Sequence, residues 1–245
     1  MGGGSKIIRK TNRNVQIVII ASALFLSAGM LISAIAVRQR RDQQSRPMYT
    51  VSFNDIDGNE LVARKVYEGD FAVPPDDLPL SANQAFLDWG NPLYPVRSDA
   101  ICSPSIEDVT DGTNVFFVNT QYIQTRKAKN LQLQIGGQVA LDELEIELQF
   151  NPNSLEFRSA SSSQGRVQSV EKGVVRFTLN ANEMLSAPCV LADIELKAIG
   201  DAFTFSEFTF NVNTAQIDST PATFERMKTR VFIYKPYRIT RRQKV

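Results

Sequence analysis

No charged residue occurs between Arg13 and Arg38, and residues 14–37 read NVQIVIIASALFLSAGMLISAIAV. Only Asn14 and Gln16 are strongly polar, and both stand at the start of the run. Coiled as a helix at 1.5 Å per residue, the run is about 35 Å long, enough to cross a hydrocarbon layer of roughly 30 Å. A helix packed on a water-soluble core carries a polar stripe, and this segment has none. A cleavable secretory signal is the competing reading, because Ala34-Ile35-Ala36 has the small residues of a cleavage site. The apolar run is longer than such a signal needs, and Arg38, Arg40 and Arg41 follow it at once. A retained single transmembrane helix over 14–37 is therefore expected.

Lys6, Arg9, Lys10 and Arg13 on one flank nearly balance the arginines on the other, so charge bias alone decides no orientation. A short tail before the span and a long β-rich region after it suit a cytoplasmic N-terminus with the bulk translocated. The expected layout is a short basic cytoplasmic tail at 1–13, the membrane helix at 14–37 and a linker at 38–46. A first β domain at 47–104, a second at 112–236 and a basic tail at 237–245 follow.

Past residue 47 the hydrophobic period is that of strands. Tyr49, Val51 and Phe53 alternate with polar residues, and Asp57-Gly58 supplies a hairpin turn before Leu61 and Ala63, expected on the same inner face. Glu60 stands where a calcium-binding EF-hand loop needs glycine, so this turn is not read as a calcium site. Cys102 to Gly112, rich in Ser, Pro and Asp, reads as a linker. Beyond it, Leu144, Ile146, Leu148 and Phe150 point inward while Glu145, Glu147 and Gln149 point outward. Val175, Phe177 and Leu179 are inward on the next run, as are Val190, Ala192, Ile194 and Leu196 on the one after. Many short strands with no helical period between them indicate a sandwich.

The chain's 245 residues include no histidine, which removes His-based triads, the usual neutral-pH base and the commonest zinc ligand. No glycine-rich phosphate loop is present; Gly2-Gly3-Gly4 precedes no strand and Gly136-Gly137 reads as a turn. A net charge of +1 gives no global field toward nucleic acid. The chain is therefore read as non-catalytic, with no cofactor, no metal and no nucleic-acid partner. Cys102 and Cys189 have no CxxC spacing; one disulfide and two free thiols both stay open.

Two resemblances add to this reading. Y-T-V-S-F at 49–53, Asp57-Gly58, Val66, Gly69, the prolines at 74, 75 and 79, F-L-D-W at 86–89 and V-R-S-D at 96–99 occur in the order of the repeat of internalin-type surface proteins. That resemblance implies a small β-grasp-like fold acting as a surface spacer or interaction module; Phe86 and Trp89, as large apolar rings, are read as core rather than as a ligand platform. L-E-I-E-L-Q-F-N-P-N-S-L-E-F at 144–157, G-V-V-R-F-T-L at 173–179, C-V-L-A-D-I-E-L-K-A at 189–198 and a closing V-F-I-Y strand resemble the cohesin domain, a jelly-roll sandwich. Residues 159–172 have no counterpart in that template. In that family one sheet face recognises a dockerin partner without a catalytic residue.

The outward positions Glu145, Glu147, Gln149, Arg176 and Thr178 are the candidate partner-binding face. The expected function is non-catalytic scaffolding or surface display at the cell membrane, through a dockerin-like or other envelope protein and the lipid bilayer. Cell-wall glycan is a further candidate partner. The alternatives are a carbohydrate-binding envelope protein and a bitopic structural subunit of a membrane secretion, pilus or division assembly.

Overall fold

A computed structural model describes residues 46–109, 114–227 and 229–236. The expected membrane helix at 14–37, the tails at 1–13 and 237–245, and the linker at 38–46 apart from its last residue lie outside the described residues. Every element among the described residues is a strand, and none is a helix.

The first module opens with β1 (Met48–Asn54) and β2 (Glu60–Tyr67), paired antiparallel. Gly58 takes φ +87° in the turn. The Asp55 carboxylate accepts the backbone N–H of Asp57 at 2.9 Å and of Asn59 at 2.8 Å, so the acidic loop closes on its own backbone. β3 (Gln84–Trp89) pairs antiparallel with β5 (Pro104–Asp108), while β4 (Ala100–Cys102) joins β1 in parallel. The expected linker is thus a strand as far as Asp108. Its polar residues mislead because an edge strand tolerates Pro and Ser on its open side.

Leu61 and Ala63 also depart from expectation. The register shifts between Phe53 and Asn54, so Val62 and Val66 oppose Phe53 and Tyr49, and Leu61 is 37 % exposed. A one-residue slip turns a whole strand over. Val51, Phe53, Phe86, Trp89 and Cys102 form the buried centre. Trp89 meets Phe53 and Phe86 edge-on, at 5.0 and 5.4 Å between ring centres.

The sandwich follows: β6 (Val115–Val118), β7 (Gln121–Gln124), β8 (Ala128–Gly136), β9 (Ala140–Leu141), β10 (Glu143–Gln149), β11 (Leu155–Ser161), β12 (Gly165–Glu171) and β13 (Val174–Leu179). It continues through β14 (Leu185–Ser186), β15 (Cys189–Ala198), β16 (Thr204–Glu207), β17 (Thr209–Ile217), β18 (Thr220–Pro221), β19 (Glu225–Arg226) and β20 (Arg230–Tyr234). One five-stranded sheet has the order β12-β13-β10-β17-β18 and the other β11-β15-β8-β6-β19, with β16-β20-β7 beside them. Residues 159–172, without a counterpart in the cohesin template, form the end of β11 and all of β12.

Ile146, Leu148 and Phe177 from one sheet bury against Leu131, Leu133, Ile194 and Leu196 from the other, as the alternation required. Val190 is the exception. The register shifts between Val190 and Ala192, so Leu191 turns inward and Val190 is 38 % exposed.

The two modules share strands. On β20, Val231 and Ile233 enter the sandwich core while Phe232 and Tyr234 face the first module. Phe71 sits against both, 5.1 Å from the Phe232 ring and 4.7 Å from Tyr234. On β6, Phe116 belongs to the sandwich core, and Val115 and Phe117 pack with Ala85 and Val109. A Cβ built on Gly136 would stand 2.4 Å from a Val109 methyl, so the strand end approaches there because glycine carries no side chain. The described residues from Met48 onward form one compact unit.

Cys102 and Cys189 are free thiols, one in each module. Burial pushes the Cys102 thiol up to about 11 from its ordinary 9.0. Below pH 9 both folded and unfolded chains hold it neutral; above that the unfolded chain ionises first. Folding stability should therefore fall as pH rises from about 9 toward about 11. Urea midpoints across that range test this, and Cys102→Ala should reduce the slope, the remainder coming from Cys189, Tyr122 and Tyr234, which burial also pushes up.

Candidate partner-binding face

β10 lies between β13 and β17, and its alternation presents Glu145, Glu147 and Gln149 on the side away from the core. Glu145 pairs across the strands with Thr178, and Glu147 with Arg176. The five residues expected from sequence are therefore neighbours on one outer surface, each half-buried.

Arg176 is held from two sides. Its Nη2 donates to Glu147 Oε1 at 2.6 Å and its Nε to the same oxygen at 3.1 Å, while Glu145 Oε1 lies 3.6 Å from Nε. The hydrogen bond to Glu147, with the nearby Glu145 charge, pushes the guanidinium pKa further up. The cation stays charged at any ordinary pH, and its orientation is fixed by the flanking strand.

Residues outside the sequence expectation complete the surface. The register between β10 and β17 shifts between Glu145 and Ile146, which leaves Asn213 as an extra residue. Its side chain donates to Glu145 Oε1 at 2.8 Å. A bulge of this kind re-aims a side chain, and no alternation pattern announces it. Arg166 and Gln168 on β12 pair with Thr178 and Arg176, and Asn211 on β17 pairs with Glu147. Those three positions alternate poorly because β12 and β17 carry polar residues on both sides.

Where β10 begins, the face opens into a depression of about 610 Å³ bordered by Asp142, Glu143, Glu145 and Glu183. Met184, 67 % exposed, stands on its rim. One end of the surface is therefore acidic, and Arg176 and Arg166 lie toward the middle. Nothing here forms a nucleophile–base pair. Among the described residues no group of three or more His, Cys, Asp or Glu is placed to hold a metal ion.

No protein-family model matches the chain, and no curated protein does. Solved structures do match. The seventh ScaB type I cohesin of Pseudobacteroides cellulosolvens aligns with a TM-score of 0.48 at 10 % identity, over 54 % of this chain and 99 % of that one. A type I cohesin–dockerin complex of Clostridium thermocellum, Coh-OlpC with Doc435, gives 0.45 at 12 %, over 53 % and 98 %. The non-cellulosomal cohesin of the archaeon Archaeoglobus fulgidus gives 0.43 at 10 %, over 51 % and 93 %.

Proposed function

We propose that this chain is a non-catalytic protein-interaction module held at a membrane through residues 14–37, and that the outer face of β17-β10-β13-β12 receives a protein partner. The observation that supports it most is the fixed polar array on that face. Glu147 orients Arg176, and the bulged Asn213 orients Glu145, before any partner arrives. Preorganised charged groups on a flat sheet reduce the ordering cost of association and set its register.

The partner is read as a dockerin-like module or another envelope protein, and the resemblance of 144–157 to cohesins supports the former. The placement is read as single-pass, with a cytoplasmic N-terminus and the β modules outside the cytoplasm. The uncharged run at 14–37 supports the single span, and the long β-rich region that follows it supports the orientation.

Charge reversal at Arg176 tests the face. Arg176→Glu puts a third carboxylate beside Glu145 and Glu147. Partner recovery by the full-length chain should fall at least about a hundredfold, the size expected for a desolvated charge pair at an interface. The melting temperature should change little, because a partly exposed ion pair contributes about 1 kcal/mol or less. Unchanged recovery with the variant would remove this face from the reading.

A further inference from the structure

A separate cavity of about 190 Å³ lies where the first module meets the sandwich. It shares no residue with the β10–β13 face. At roughly 30 Å³ per water it holds about six waters. Pockets for drug-sized ligands begin near ~300 Å³, so this one suits a ligand of a single ring.

Its lining has two characters. Phe86 and Trp89 supply apolar surface from β3, and Tyr122 and Tyr234 add half-buried rings from β7 and β20. Pro74 and Pro75, with φ fixed by their rings, hold the arm that covers them. The polar side comes mainly from the sandwich, with Asp76 and Asp77 added from the first module. Asn119 and Gln121 reach the cavity, and Lys129 and Asp76 pair at 3.1 Å beside it. Thr120, only 4 % exposed, lines the same space, and its hydroxyl has no hydrogen-bond partner. Buried hydroxyls are nearly always satisfied, so an unpaired one marks a place where a ligand or water supplies the partner.

These groups narrow the ligand class. Asp76 holds the lysine and Asp77 stands exposed to water at the rim, so the lining offers an anionic ligand no unpaired cation, and a carboxylate beside the rings accepts hydroxyl groups. Asn119 Oδ1 already accepts the Phe86 backbone N–H at 2.8 Å, so an apolar ligand would leave the Asn119 amino group, the Gln121 amide and the Thr120 hydroxyl unpaired. A sugar ring meets both demands, with C–H faces for the aromatic rings and hydroxyls for Asn119, Gln121 and Thr120.

We propose that this junction cavity binds one neutral sugar ring, either free or as the end of a glycan. The chain's one tryptophan, Trp89, lines the cavity, so its fluorescence responds to occupancy there. The full-length chain is titrated with glucose, galactose, mannose and N-acetylglucosamine, and with disaccharides ending in each. A saturable change at millimolar concentration is expected for at least one sugar, the affinity a few hydrogen bonds and one ring support. A response to the disaccharide as well identifies a glycan end, and a response to the monosaccharide alone a free sugar. Thr120→Val keeps the side-chain shape and removes the hydroxyl; it should weaken binding about tenfold without lowering the melting temperature. Gln121→Ala should weaken it similarly. The proposal is overturned if no sugar gives a saturable change, if glycerol gives an equal one, or if both variants bind as tightly as the parent chain.

Discussion

Phe71→Ala should lower the melting temperature of the full-length chain by about 10 °C, and the first module and the sandwich should still melt together. Phe71 contributes a ring to a seam with Tyr122, Phe232 and Tyr234, all within 6.1 Å between ring centres. Deleting a buried phenyl group costs about 3–5 kcal/mol, and 1 kcal/mol moves the midpoint by roughly 2–4 °C at this size. The coupling follows from the shared strands. β20 gives Val231 and Ile233 to one core and Phe232 to the other, so neither core keeps that strand if its neighbour is lost. Trp89 fluorescence follows the first module, and β-sheet circular dichroism is dominated by the sandwich. Coincident transitions in both probes are expected. Two separated transitions in the parent chain would show the modules to be independent.

The second large effect contrasts two adjacent residues. Ile146→Asp should abolish cooperative folding, whereas Glu147→Ala should leave the fold intact and weaken partner binding. Ile146 is fully buried opposite Phe177, at the centre of the sandwich. A carboxyl group there loses its water without gaining a partner, which costs several kcal/mol even when it takes up a proton. That is comparable with a total stability of about 5–15 kcal/mol. Glu147 faces the other way and fixes Arg176 at 2.6 Å. Its removal frees the guanidinium to move and exposes no core. Soluble yield and thermal scans distinguish the first variant from the parent chain; partner recovery distinguishes the second.

The same alternation explains what could be read in advance. Residues 144–150 obey a strict period of two because one side meets a core and the other meets water, so the candidate face followed directly from sequence. Three departures have one cause. At Asn54, Leu191 and Asn213 the ladder carries a register shift, and each shift reverses or displaces the side chains beyond it. A bulge leaves no compositional mark in polar strands, which is why Asn213 was missing from the expected face.

The junction between modules did leave a mark. V-F-F-V at 115–118 and V-F-I at 231–233 are apolar at every position, as a strand covered on both sides must be, and the first module covers them. The aromatic-lined cavity had no such signal. Its residues come from 73–89, 119–129 and 234, which only the tertiary fold brings together.

Site-specific photocrosslinking in native membranes shows which sheet face meets a partner. A photoreactive benzoylphenylalanine is placed at Thr178, on the outer face of β13, or at Asp193, on the outer face of the opposite sheet. One discrete protein adduct is expected from position 178, lost when Arg176→Glu is added, and none from position 193. An adduct from 193 alone, or equal adducts from both positions that survive Arg176→Glu, would contradict the proposed partner face.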